Sequence, residues 1–127
     1  MAWLAENVRG TRTLDDYASA ALTTGTNKRE WVVTRAGRIV GVRLNSGGTG
    51  TGAGSSTIDV NINGTTIFTT QANRPTIATA STGDWTVLSP DGNVAVREGD
   101  VISYDVDAIP ATAGHTRTAI AIDIEHA

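Results

Sequence analysis

Three runs of this chain alternate apolar and polar residues one for one, a period that fits a half-buried β-strand and excludes an amphipathic helix. Thr57–Asn63 sets Ile58, Val60 and Ile62 against Asp59 and Asn61. Val101–Ile109 sets Ile102, Tyr104 and Val106 against Ser103, Asp105 and Asp107. Arg117–Glu125 sets Ile120, Ile122 and Ile124 against Ala119, Ala121 and Asp123. Successive strand side chains point to opposite faces, so each run predicts one buried and one wet face.

Weaker strands are predicted over Glu30–Thr34, Arg38–Asn45, Thr65–Thr70, Asp84–Ser89 and Asn93–Arg97. In the second of these, Val40, Val42 and Leu44 form the expected inner stripe. Turn chemistry separates the runs. Asn63-Gly64 is the strongest hairpin signal, because a type I′ turn needs positive φ at both positions. Pro90-Asp91-Gly92 and Glu98-Gly99-Asp100 are further turns. Ser46–Ser55, with five glycines and no large apolar residue, reads as a flexible loop. Gln71–Gly83 and Pro110–Thr116 read as connections. About eight short strands with no βαβ spacing predict an all-β, antiparallel, jelly-roll-like sandwich.

Residues 1–28 lack this pattern and are expected to form an extended N-terminal arm, leaving 29–127 as the sandwich domain. Within the arm, Asp15 and Asp16 suit the first turn of a brief helix running to Ala20, where the helix dipole favours negative charge. The 127-residue length suits one core.

Composition narrows function. The formal charge of −3, with no cluster of Lys and Arg, disfavours a nucleic-acid partner. With no Cys there is neither a disulfide scaffold nor a thiolate metal site. No apolar run approaches the roughly 18 residues that span a bilayer, and no basic-then-apolar leader opens the chain, so neither a membrane partner nor Sec export is expected.

Three segments taken together, Gly41-Val-Arg-Leu44, Thr57-Ile-Asp-Val-Asn-Ile-Asn-Gly-Thr-Thr-Ile67 and Glu98-Gly-Asp-Val-Ile-Ser-Tyr-Asp-Val-Asp107, resemble the small jelly-roll domains of tailed-phage structural proteins. Among these, the chain is notably similar to capsid decoration (cement) proteins and head or tail-fibre modules, over roughly Trp31 to Ile124. The resemblance implies a protein made in the host cytoplasm that works on the virion surface. It also implies a homotrimer whose partners are the major capsid protein and itself, with arms reaching across neighbouring capsid subunits.

Trp3, Leu4, Arg9, Arg12 and Tyr17 are the residues expected to grip the capsid, since an apolar tip on an arm has no core of its own to enter. The alternative is a fibre module that recognises cell-surface glycans through Trp85 and nearby loops. No enzyme and no cofactor are expected. Asp59, Asp100, Asp105, Asp107 and Asp123 lack the tight loop spacing of a calcium site and read as a solvated sheet face or turn residues. Gly47–Gly54 lacks the Lys-Ser/Thr of a phosphate loop. His115 and His126 read as surface histidines with no nucleophile elbow nearby, and a hydrolase with a small acidic site is the least supported class.

Overall fold

The computed structural model describes residues 8–16, 20–81, 86–88 and 94–126. These residues form ten strands: β1 (Val8–Asp16), β2 (Gly25–Val32), β3 (Gly37–Ser46), β4 (Ser55–Ile62), β5 (Thr65–Thr66), β6 (Thr76–Ala78), β7 (Thr86–Leu88), β8 (Val94–Val96), β9 (Val101–Ala108) and β10 (Thr118–His126). Helix among the described residues is a single 3-10 turn, Gln71–Asn73.

Every pairing is antiparallel, and the pairings nest. β1 pairs with β10, β2 with β9, β3 with β7 and β8, and β4 with β5 and β6. This is one long hairpin whose tip is Asn63-Gly64. Rolling it up adds two pairings, β10 with β3 and β9 with β4, which close the sheets β1-β10-β3-β7/β8 and β2-β9-β4-β5/β6. The result is a jelly-roll sandwich. β5 and β6 share one edge of β4 just as β7 and β8 share one edge of β3, so ten segments fill eight strand positions; the sequence also predicts eight strands, but without β1 and with β7 and β8 counted separately.

The tip has the required geometry, with φ of 50° at Asn63 and 84° at Gly64. A Cβ at Gly64 would meet nothing within 4 Å, so its cost is conformational alone. Gly64→Ala is therefore expected to lower stability by about 1 kcal/mol, read as a shift of the urea midpoint.

The core lies between the sheets. Ile58 and Val60 of β4, Ile102 and Tyr104 of β9, and Ile120 and Ile122 of β10 are all fully buried. On β3 the stripe is Ile39, Val42 and Leu44 rather than Val40, Val42 and Leu44. The cause is a register shift: Gly41 pairs with Asp123 and Ile39 with Ile124, so Val40 is the extra residue of a bulge that resets the alternation.

Other expectations change as well. β1 and half of β2 fall inside the expected arm, yet both are sheet strands, and Leu22 between them is fully buried. Asp15 and Asp16 lie in β1 rather than in a helical turn, because their backbone pairs with Ile120 and Ala119. β6 lies within the expected 71–83 connection and buries Ile77. The glycine-rich stretch is tied down along its length. Gly47 and Gly48 donate to the carbonyls of Arg117 and Thr116, while Thr51 donates to Ala113. A Cβ at Gly50 would lie 2.6 Å from Pro110, so close packing of two loops requires glycine there.

Candidate functional site

Among the described residues β1 and β2 are the edge strands on one side of the sandwich, and polar groups bridge the gap between them. Arg12 opposes Ile122 in register, which turns its side chain toward the gap between the sheets. Its guanidinium carbon lies 4.4 Å from the centroid of the Trp31 ring on β2, a cation–π contact. Deeper in, the fully buried Tyr104 donates its hydroxyl to Asp15 at 2.5 Å. Asp15 also faces Arg29 at 3.5 Å, a pair weakened by the exposure of the arginine. Outside the Arg12–Trp31 stack lies an open cleft of about 430 Å³, lined by Gly10, Thr34 and His126 among others.

Of the residues expected to contact a capsid, Arg12 alone has a described side chain, and it is committed to Trp31. Arg9 lies on β1 opposite Glu125, with its side chain outside the described residues. Trp3, Leu4, Tyr17 and the alternative glycan platform Trp85 also fall outside them. Trp31 was legible as a strand residue, but nothing in its local pattern marks it as the partner of Arg12, since that contact joins two sheets.

The aspartates are engaged rather than simply solvated. Asp123, 7% exposed, accepts from Arg43 Nε at 2.9 Å. Asp107 pairs with Arg74 at 2.5 Å. Asp100 accepts from the Arg97 amide at 2.8 Å and from Asn63 at 3.1 Å, and these bonds hold its carboxyl below the usual range. Asp59, 6% exposed, accepts from the Thr66 hydroxyl at 2.6 Å. Burial pushes the Asp59 carboxyl up; the Thr66 bond opposes the shift and the charge of Asp107 adds to it.

A carboxyl raised in the fold holds its proton longer than the unfolded chain does, so it subtracts stability as pH rises from about 3.8 through its folded value. Asp59→Asn keeps an oxygen for Thr66 and removes that charge. The variant is expected to gain on the wild type as pH rises from 3 to 7, with the difference vanishing at the acid end. Chemical denaturation at the two pH values measures it, and a gain confined to the acid end would refute the assignment.

His115 is fully buried, not at the surface. Its Nε2 lies 2.9 Å from the Ala78 carbonyl, which can only accept, so Nε2 carries a proton. Nδ1 lies 2.6 Å from Ser56 Oγ, itself 1% exposed. The pair pins β4, the end of β6 and the 110–116 loop together, and burial denies both groups access to a substrate. His126 is half-buried, 3.1 Å from the Ala36 carbonyl. Among the described residues, no three His, Asp or Glu converge as metal ligands would.

A second concave surface lies on the outer face of the β2-β9-β4 sheet, a shallow groove of about 490 Å³. Its floor is Asn61 and Ser103, direct cross-strand neighbours that are 7% and 5% exposed. Both lie on the polar side of their alternating runs, where nothing in the sequence separates a groove floor from open surface. A scan against protein-family models finds no match, and a search of curated proteins finds no relative of this chain.

Proposed function

We propose that the protein is a virion structural protein, a decoration protein that binds the outer capsid surface as a homotrimer and stabilises the head. The observation that carries this reading is the position of β1. Among the described residues β1 pairs with β10 alone and forms the edge of its sheet, so its other side is open to an adjacent subunit. Trp3 and Leu4, outside the described residues, belong to the reading as the apolar pair that an adjacent capsid subunit would cover. A jelly roll serves such a role well, since this two-sheet architecture recurs in viral capsid proteins. The segments around Gly41, Asn63 and Gly99 add the likeness to tailed-phage head proteins.

The mechanism requires no reaction. A ligand that binds only the assembled lattice stabilises it by mass action, so opening the shell must also break the decoration contacts. Mixing the full chain with empty heads of the phage that encodes it tests the proposal. The protein is expected to pellet with the heads, saturate at a fixed ratio to capsid subunits, and raise the temperature at which the shells open. A chain that stays in the supernatant at every ratio would overturn the reading.

A further inference from the structure

We infer that Asn63 is a spontaneous deamidation site, and that a clasp between the hairpin tip and the 97–100 turn holds it unreacted in the folded protein. Asn63-Gly64 is the chain's one Asn-Gly pair. In such a pair the nitrogen that follows asparagine is least hindered, because glycine has no Cβ beside it. Both residues are exposed, and a Cβ at Gly64 would meet nothing within 4 Å, so no neighbour shields the pair. In the reaction the Gly64 nitrogen attacks Asn63 Cγ. A Cγ–N bond forms, the Cγ–Nδ2 bond breaks, and Nδ2 leaves as ammonia with the proton of the Gly64 amide. Water then opens the succinimide at either carbonyl, which leaves aspartate or isoaspartate at that position.

The folded chain engages both polar atoms of the side chain. Oδ1 accepts from the Val101 amide at 2.9 Å, and Nδ2 donates to Asp100 Oδ1 at 3.1 Å. A backbone amide can only donate, which fixes the atom of the Asn63 side chain that faces Val101. The Asn63 amide donates in turn to the Val101 carbonyl at 2.8 Å. Asp100 also accepts from the Arg97 amide at 2.8 Å, and the Arg97 and Asn63 bonds hold its carboxyl below the usual range, as a carboxylate. Two turns that are separate signals in the sequence thus meet as one clasp. Attack on Cγ requires the side chain to swing into line with its own following peptide, which breaks both side-chain bonds. The Val101 amide alone would favour reaction, because it would stabilise the negative charge that develops on Oδ1. The Asp100 carboxylate decides the balance, since it repels that charge and grips the leaving nitrogen. Reaction therefore waits on local opening of the clasp. The aspartyl product cannot close it again: an acceptor oxygen replaces Nδ2, and two carboxylates face each other.

The test is incubation of the full chain in mildly alkaline buffer with and without guanidinium chloride, followed by peptide mass spectrometry that separates aspartyl from isoaspartyl products. The unfolded chain is expected to deamidate first at Asn63, and the folded chain at least about tenfold more slowly, the protection given by one hydrogen bond that must break before attack. Asp100→Ala is expected to raise the folded-state rate roughly tenfold and to quicken hydrogen exchange of the Val101 amide by a similar factor. Asn63→Asp, the aspartyl product made directly, is expected to quicken Val101 exchange in the same way. The inference fails if folded and unfolded chains react alike, or if another asparagine reacts first in denaturant. It fails equally if folded Asp100→Ala deamidates no faster than the wild type. The comparison with denaturant needs no variant, so it decides the matter even where Asp100→Ala does not fold. Capsid binding enters none of these measurements, so the two proposals stand or fall separately.

Discussion

Phe68→Ala is expected to lower the stability of the sandwich by about 3–5 kcal/mol, a large fraction of the roughly 5–15 kcal/mol that holds a domain of this kind together. The reason lies in how the β4 edge is finished. β5 ends at Thr66 and β6 resumes that edge at Thr76, so between them the chain leaves the sheet. Ile67 and Phe68 turn inward at this break, and the phenyl ring is fully buried. The backbone holds it there. Thr66 Oγ1 accepts from the Phe68 amide at 3.0 Å, the Phe68 carbonyl accepts from Gln71 Nε2 at 2.7 Å, and the Ile67 amide donates to Val60. With its backbone fixed on both sides, the site cannot collapse around a truncated side chain, and the cavity persists. Val32→Ala, at an exposed position of the same sheet, is expected to change stability by no more than about 0.5 kcal/mol. Equilibrium denaturation of both variants decides the matter. A Phe68→Ala midpoint close to that of Val32→Ala would show that the ring does not plug the sandwich.

The break at Phe68 also shows where sequence reading succeeds and where it stops. β4, β9 and β10 are central strands, each flanked on both sides, so their inward residues must be apolar and their alternation is clean. Edge strands face no such demand. On β1 the inward positions Gly10, Arg12 and Asp15 oppose Ile124, Ile122 and Ile120. They stand at the rim, where an arginine stacks on Trp31 and an aspartate accepts from Tyr104 instead of burying methyl groups. No period-two stripe survives, and the segment reads as an arm. β6 fails for a similar reason, with Ile77 its single buried apolar residue.

The inner stripe of β3 slips because one bulge residue, Val40, reverses the alternation while leaving its composition unchanged. His115 was misplaced because burial came from long-range partners, Ser56 and Ala78, that local sequence cannot bring together. The same blindness covers the groove. Asn61 and Ser103 sit at polar positions of the two clearest strands, and only their register across β4 and β9 shows that they meet. Tertiary pairing, not local pattern, decides each of these residues.

Removing residues 1–22 is expected to abolish the cooperative fold, whereas removing residues 1–7 leaves every described strand in place. The longer deletion takes away all of β1, whose ladder with β10 runs from Val8–His126 to Asp16–Ala119. It also removes the acceptor of the buried Tyr104 hydroxyl, at about 1–3 kcal/mol for an orphaned polar group. Leu22 goes too, and truncating a buried leucine to alanine alone costs about 2–5 kcal/mol. Together these losses are comparable to the whole stability of a domain this size, and β10 becomes an exposed edge open to pairing with other copies. Circular dichroism melts of the two truncations measure the difference. A 23–127 fragment that melts cooperatively near the temperature of the full chain would mean that β1 contributes little and that the arm extends to residue 22 after all. The distinction governs how capsid attachment can be examined. Loss of binding in the longer truncation follows from unfolding, whatever the arm does. Loss of binding in a folded 8–127 fragment assigns the grip to Trp3 and Leu4, and binding that survives there moves it to the sandwich itself, with the Arg12–Trp31 rim the first surface to mutate.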